Sequence, residues 1–290
     1  MKPTFDLQAH SLHSDGTLPP AKVVARAAAD GIELLALTDH DTVSGVAEAR
    51  EAAHTLGIRL SPAAEISSVD GTHEDLHVCG YELDVEHPDL LAALEDWRGD
   101  RDRRITAMVG RLRELGFHID DSPLEQRRQE GRPLGRPHLA DCVLTHPANA
   151  DRLAAEGITG RNDFFPRYIV PGAPGYVARE TPTVKEAIDL IHHAGGVAIW
   201  AHPFWDVDSP EEVLATVARF AADAIDGLEA FYVTHTQEQT ELLCDAAAAR
   251  GMLTTGSTDF HSPDHERFGR MGGFELHGRE PNLGPIGTAN

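Results

Sequence analysis

Short apolar runs alternate along the chain with alanine-rich amphipathic stretches. The segment LLALTDHD (34–41) opens as an unbroken apolar run and predicts a buried strand, and VSGVAEAREAAHTL (43–56) has the spacing of a helix after it. The rhythm resumes with a helix over 184–196 stopped by glycines, the strand GVAIWAHP (196–203) and a helix over 211–223. The strand GLEAFYV (227–233), a helix over 237–251 and the strand MLTTGSTDFH (252–261) close the series. Repeated strand–helix units predict an α/β fold of parallel strands with helices outside, either a doubly wound sheet or a barrel.

Between residues 85 and 180 the pattern changes. LLAALEDWRGDRDRRITAMVGRLRELG (90–116) keeps a helical period, and its arginine run over 98–104 reads as a solvated helix face. Turn-rich EGRPLGRPHL (130–139) and VPGAPGYV (170–177) follow. This predicts a helical insertion, residues 85–180, lying as a cap over one end of a discontinuous main domain, residues 1–84 and 181–275. The tail, residues 276–290, is rich in Gly and Pro and reads as irregular.

The polar residues at the strand ends change the picture from fold to chemistry. FDLQAH ends in Gln8 and His10, LALTDHD in Asp39, His40 and Asp41, and AIWAHP in His202. SPAAEI carries Glu65, LHVCGY carries His77, YVTHT ends in His235, and TTGSTDFH ends in Asp259 and His261. In a parallel α/β barrel the carboxyl ends of the strands open on one face, where active sites are built. These stretches, with Asp15, therefore predict one rim of imidazoles and carboxylates. Residues two apart on a strand leave by the same face. Gln8 with His10, and Asp259 with His261, are such pairs and suit chelation from one rigid element. Histidine with carboxylate suits Zn, Mn or Fe. Cys79 sits in an apolar strand and reads as core.

Composition narrows the function. Of 290 residues 41% are hydrophobic, enough for one large α/β domain or a domain carrying an insertion. Asp and Glu number 47 against 25 Lys and Arg, a net charge of −22, which disfavours binding to long nucleic acid. An anionic substrate then needs a local positive source, such as bound metal or a few placed arginines. Three scattered cysteines argue against a disulfide framework, and no apolar run has transmembrane length or reads as a signal-peptide core, so the expected address is the cytoplasm, away from membranes.

The motifs DLQAHSLHSDG, LALTDHDTVSG, AAEIS, LHVCGYELD, GRPHLAD, AGGVAIWAHP and GSTDFHS run in this order from residue 6 to residue 262. Together they resemble the PHP (polymerase and histidinol phosphatase) family, and within it the stand-alone metal-dependent phosphoesterases that carry a helical insertion. The resemblance implies a distorted seven-stranded (β/α) barrel with two or three divalent ions (Mn, Fe or Zn) at the strand ends. Carried over by position, it implies a first metal shell of Gln8, His10, Glu65 and Asp259. A second would use Asp15, His40 and His261, and a third Glu65, His77 and His202, with Glu65 bridging the first and third. Where the family usually has histidine, this chain has Gln8. A glutamine carbonyl is a harder, weaker ligand than imidazole. Gln8 therefore either coordinates, favouring Mn or Fe over Zn, or only hydrogen-bonds a metal-bound water.

The activity implied is hydrolysis of phosphate monoesters of small metabolites by attack of a metal-bridging hydroxide. Nucleotides come first, as a 5′-mononucleotide or a 3′,5′-bisphosphate. His235 is expected as the general acid or a substrate hydrogen-bond donor. Asp39 is expected among the catalytic groups, orienting ligand histidines from behind together with Asp6. Arg136 and His138, in GRPH, match a motif whose basic groups meet substrate phosphate. Related proteins often have a lysine where this chain has Ala173. The alternatives are a 5′–3′ exonuclease on short RNA, a histidinol phosphatase, and a catalytically degenerate metal-binding module.

Overall fold

The computed structural model describes residues 3–71, 73–132, 134–179 and 181–288. In chain order the first elements are β1 (Phe5–Asp6), α1 (Pro20–Asp30), β2 (Leu34–Leu37), α2 (Val46–Leu56), β3 (Arg59–Pro62), β4 (Ala64–Asp70) and β5 (His73–Tyr81). The helices α3 (Pro88–Glu114), α4 (Ser122–Gln129), α5 (Arg136–Leu144), α6 (Ala150–Ala155) and α7 (Arg161–Tyr168) follow. The chain continues through α8 (Val184–His193), β6 (Val197–Trp200), α9 (Pro203–Asp206), α10 (Pro210–Ala222), β7 (Gly227–Tyr232), α11 (Gln237–Ala248) and β8 (Leu253–Ser257). Two compact units result, one of Met1–Leu94 with Pro182–Asn290, the other of Glu95–Thr181.

In the larger unit β1, β2 and β3 form a parallel ladder, and β4 to β8 form a second ladder in sequence order. The pairs β6–β7 and β7–β8 are parallel, but β4–β5 and β5–β6 are antiparallel. This corrects the expectation of parallel strands throughout. A parallel neighbour needs a crossover of a dozen or so residues. The chain instead turns just past Asp70, with Gly71 at φ 58°, and β5 returns along β4. His77 therefore lies in mid-strand and Glu65 near the start of β4, rather than at carboxyl ends.

Among the described residues eight strands lie in two ladders, where one seven-stranded barrel was expected. Part of the difference lies at Ala63, the single residue between β3 and β4. There the chain leaves β2 and takes β5 as its partner. Backbone hydrogen bonds join the ladders at both ends. Leu7 N donates to Gly256 O (3.1 Å), His10 N to Phe260 O (2.8 Å) and Asp41 N to Glu65 O (2.9 Å).

Apolar side chains from α1, α2 and the first ladder, Val23, Val24, Leu35, Leu37, Ala49 and Leu60 among them, pack into one core with Phe260. Helix starts are capped where the chain turns back onto the sheet. Thr183 and Thr236 form capping boxes with Glu186 and Gln239, and Ser209 accepts from Glu212 N. The smaller unit has its own core of Met108, Leu112, Phe117, Leu139, Val143 and Phe164, among others. Among the described residues the tail is irregular but for a 3₁₀ turn over Gly284–Thr288, and it is laced to β8 by Thr254 N donating to Asn282 O (2.9 Å). No helix among the described residues is long and apolar enough to cross a membrane.

Asp6 does not orient a histidine, as the sequence suggested. Its carboxylate accepts from Thr258 N (3.0 Å) and Gly272 N (2.8 Å), tying β1 to the end of β8 and the loop beyond. Burial pushes its pKa up to about 6 in spite of these bonds. Asp6→Ala would leave two buried N–H groups without an acceptor, at an expected cost of about 2–5 kcal/mol. Urea unfolding measures this; a midpoint within error of the parent would show that the tie carries no stability.

Candidate metal centre

Alternation along the extended chain after β1 places Leu7 and Ala9 in the core and sends Asp6, Gln8 and His10 to the opposite face. All five are fully buried. Phe260 N donates to Gln8 O (3.2 Å), so the continuations of β1 and β8 run side by side and bring His10 beside Asp259 and His261. The bridge between His40 and Glu65 joins the end of β2 to the start of β4. Ala201 N donates to His77 O (3.0 Å), which sets His202 against His77.

Glu65 is the hub. Its Oε1 lies 2.9 Å from His77 Nδ1 and 3.1 Å from His202 Nε2. Its Oε2 lies 3.1 Å from His10 Nε2 and 3.5 Å from His40 Nδ1. Asp259 Oδ1 is 3.0 Å from His10 Nε2 and 3.7 Å from His261 Nδ1. Asp15 reaches His10 (3.6 Å), His40 (3.8 Å) and His261 (3.4 Å). The eight expected residues other than Gln8 are thus gathered, five imidazoles and three carboxylates, with His10, Glu65 and Asp259 forming one group able to hold an ion and His10, Asp15, His40 and His261 another.

These atoms are close without being satisfied. His10 Nε2, His40 Nδ1, Glu65 Oε2, Asp15 Oδ1 and Asp259 Oδ1 are buried and have no hydrogen-bond partner of proper geometry. Buried polar atoms are otherwise nearly always paired. Lone pairs converging on shared points are what a divalent cation requires, and a mixed nitrogen and oxygen set without thiolate fits Zn, Mn or Fe. The donor set therefore fits a metal centre.

Burial alone would raise the Asp15 and Glu65 carboxyls, but the histidines around them hold both well below the usual carboxylate range. Burial opposes the Asp259 carboxylate too, and His261 and His10 bring it down to about 2. Burial pushes His10 down, yet Asp259 and Glu65 hold it well above its ordinary value. His261, likewise depressed by burial, is carried up to about 9 by Asp15, whereas burial drives His40 down to about 4. The three carboxylates are ionised at neutral pH, the form that binds a cation. Backbone strain also collects here, since Asp41 (φ 52°), His202 (φ 31°) and Asp259 (φ 56°) take the left-handed conformation that side chains other than glycine disfavour.

The remaining expected residues fare differently. Gln8 is buried in the same layer, its Oε1 3.4 Å from Ser257 Oγ and its Nε2 without a partner among the described residues. Asp39 accepts from Ser11 N (2.7 Å), Ser11 Oγ (2.6 Å) and Ser14 Oγ (2.6 Å), and Ser14 Oγ lies 3.3 Å from His10 Nδ1. It thus steadies His10 through Ser14. His235 is buried with Nδ1 3.1 Å from Ala230 O, and burial drives its pKa down to about 4. With Nδ1–H donating to that carbonyl, Nε2 presents a lone pair, so at neutral pH the ring suits an acceptor and not the expected proton donor. Arg136 and His138 belong to the smaller unit. Arg136 donates to Ile169 O (3.3 Å) and lies over the Phe165 ring, and His138 Nδ1 accepts from Gly135 N (3.0 Å).

Two residues escaped the sequence reading. Glu229, inside the apolar strand β7, accepts from His202 N (2.8 Å), and burial raises its pKa to about 7. Tyr232 donates its hydroxyl to Asp259 Oδ2 (2.9 Å). A carboxylate in an otherwise apolar strand was the available signal for Glu229; nothing marked Tyr232.

Fold and site together define a metal-dependent phosphoesterase. The PHP domain model matches residues 6–133. The chain is 32% identical to a 5′-3′ exoribonuclease of Haemophilus influenzae over 91% of its own length and 92% of the relative's. It is 31% identical to a 3′,5′-nucleoside bisphosphate phosphatase of Chromobacterium violaceum, over 89% and 87%. The solved structure of an amidohydrolase from C. violaceum, with bound sulfate and no metal, superposes with a TM-score of 0.78 at 29% identity, covering 92% of this chain and 90% of that one. The chain belongs to the PHP domain family.

Because Glu65 turns one oxygen toward His77 and His202 and the other toward His10 and His40, its loss should empty more than one ion position. Elemental analysis after loading with Mn should show Glu65→Gln losing most of its metal and His77→Ala losing a smaller share. Equal losses would contradict the bridging role.

Proposed function

We propose that this chain hydrolyses phosphate esters at the ends of nucleotides, with a 5′-mononucleotide or a 3′,5′-bisphosphate as the first substrates. The observation that carries the reading is Glu65, divided between two sets of imidazoles with Asp259 and Asp15 alongside. Two or three bound divalent ions would activate a water and neutralise phosphate charge. This chain's own groups do the rest. Asp39, through Ser11 and Ser14, fixes the backbone and ring of His10. Glu229 fixes His202 through its backbone N–H. Tyr232 holds Asp259 in place through its hydroxyl. His235 accepts a hydrogen bond from substrate or water at Nε2. Arg136 and His138 are assigned to substrate phosphate on the match of GRPH to the family motif.

Gln8 serves the first ion through its carbonyl oxygen. Its Oε1 lies 3.4 Å from Ser257 Oγ, while Nε2 has no partner among the described residues. Amide oxygen and nitrogen are interchangeable by a half turn, which would let Nε2 donate to Ser257 Oγ and bring Oε1 to the position that has no protein partner. Gln8→Ala should lower metal stoichiometry, and Gln8→His should restore it with a shift from Mn toward Zn. Unaltered metal content in Gln8→Ala would place the glutamine outside the coordination.

A second reading, exonucleolytic cleavage of short RNA, is favoured by the likeness to the H. influenzae exoribonuclease. The net charge of −22 favours small substrates over long RNA. A product assay with Mn-loaded protein separates the two. Inorganic phosphate from AMP or 3′,5′-bisphosphoadenosine, with oligoribonucleotides untouched, supports the first. Mononucleotides released stepwise from oligomers without free phosphate support the second. In the same assay Arg136→Ala should raise KM more than it lowers metal content; equal losses would make its role structural.

A further inference from the structure

The chain leaving His202 forms the single turn α9, and Trp205 N donates to His202 O (2.8 Å). Trp205 is 52% exposed, the most open of the large apolar side chains among the described residues. Exposing so much apolar surface is unfavourable unless something covers it. Its ring is not isolated. The centroid lies 5.9 Å from that of Phe268 at an interplanar angle of 70°, and 6.4 Å from that of Tyr232. Phe268 is half-buried, and its ring lies 6.4 Å from His261 and 4.8 Å from the exposed His265.

Both halves of this aromatic pair are therefore anchored to the metal centre. Trp205 follows His202 by three residues, Phe268 stands beside His261, and Tyr232 between them bonds Asp259. Trp205 and Phe268 pack edge to face, and about half of Trp205 stays open to solvent, where a flat ring could stack. An acidic protein gains nothing electrostatically from a nucleotide beyond its phosphate, so the rest of the affinity must come from an uncharged surface. Every nucleobase has a π-face, and base–aromatic stacking is sequence-tolerant.

We infer that Trp205, supported by Phe268, is a stacking platform for the nucleobase of the substrate, at the lip of the metal centre. This rests on the phosphoesterase reading for where the phosphate sits, but the platform itself is a feature of the aromatic side chains alone. It makes the specificity of the enzyme one for aromatic-base phosphate esters over sugar phosphates, with little choice among bases.

The test compares kcat/KM for AMP and for ribose 5-phosphate, which shares the phosphoribose but lacks the base, in the Mn-loaded full-length protein. Trp205→Leu should lower the ratio of the two about tenfold, the scale of one lost stacking contact. Trp205→Phe should recover most of it. An unchanged ratio in Trp205→Leu, or a Trp205→Phe variant no better than Trp205→Leu, would overturn the platform. Saturation-transfer NMR with adenosine, which has no phosphate, reads binding apart from hydrolysis. Transfer to adenosine from the parent and not from Trp205→Leu is expected, and its absence in the parent counts against the platform. If the parent hydrolyses neither phosphate, the phosphoesterase reading fails while the adenosine experiment still decides the platform.

Discussion

A glutamate with no solvent exposure, both oxygens pressed against imidazole nitrogens, is the constraint around which the larger unit is arranged. A lone buried carboxylate is strongly unfavourable and would take up a proton. Glu65 stays ionised because four rings stand within 3.5 Å of it. Each ring comes from a different part of the chain. His10 arrives from the continuation of β1, His40 from beyond β2, His77 from the middle of β5 and His202 from the end of β6. Carboxylate and rings hold one another in place.

The supporting layer follows from the same need. Positive φ at Asp41, His202 and Asp259 is the backbone strain of turning side chains inward at strand ends, and strain of about 1–3 kcal/mol per residue persists only where surroundings enforce it. Those surroundings are the accepted bonds at Asp39, Glu229 and Asp6, which fix backbone N–H groups of Ser11, His202 and Thr258 beside the ligands. Such fixing of ligands from behind commonly governs metal affinity as much as the ligands do.

Much of this was legible in the sequence. The alternation of apolar runs and amphipathic stretches is a local property, so the strand–helix series and the strand-end histidines could be read directly. Pairing direction is not local. One glycine past Asp70 converts a parallel neighbour into a hairpin, and His77 then reaches the cluster from mid-strand. The state of a side chain is also set by what surrounds it. His235 reads as an acid in the sequence, but its burial leaves a neutral ring whose Nδ1 is committed to Ala230 O. Glu229, a carboxylate in an apolar strand, was passed over in the sequence and supports His202. Trp205 had no periodicity to mark it, because an exposed aromatic on a one-turn helix belongs to no hydrophobic face.

The chemistry of this centre therefore depends on cations binding on both sides of one carboxylate. Anomalous diffraction from crystals of the full-length protein grown with Mn tests this most directly. One peak is expected about 2 Å from Glu65 Oε1, shared with His77 and His202, and another at similar range from Glu65 Oε2, shared with His10 and Asp259. Peaks confined to surface carboxylates, with none in reach of either Glu65 oxygen, would contradict the account.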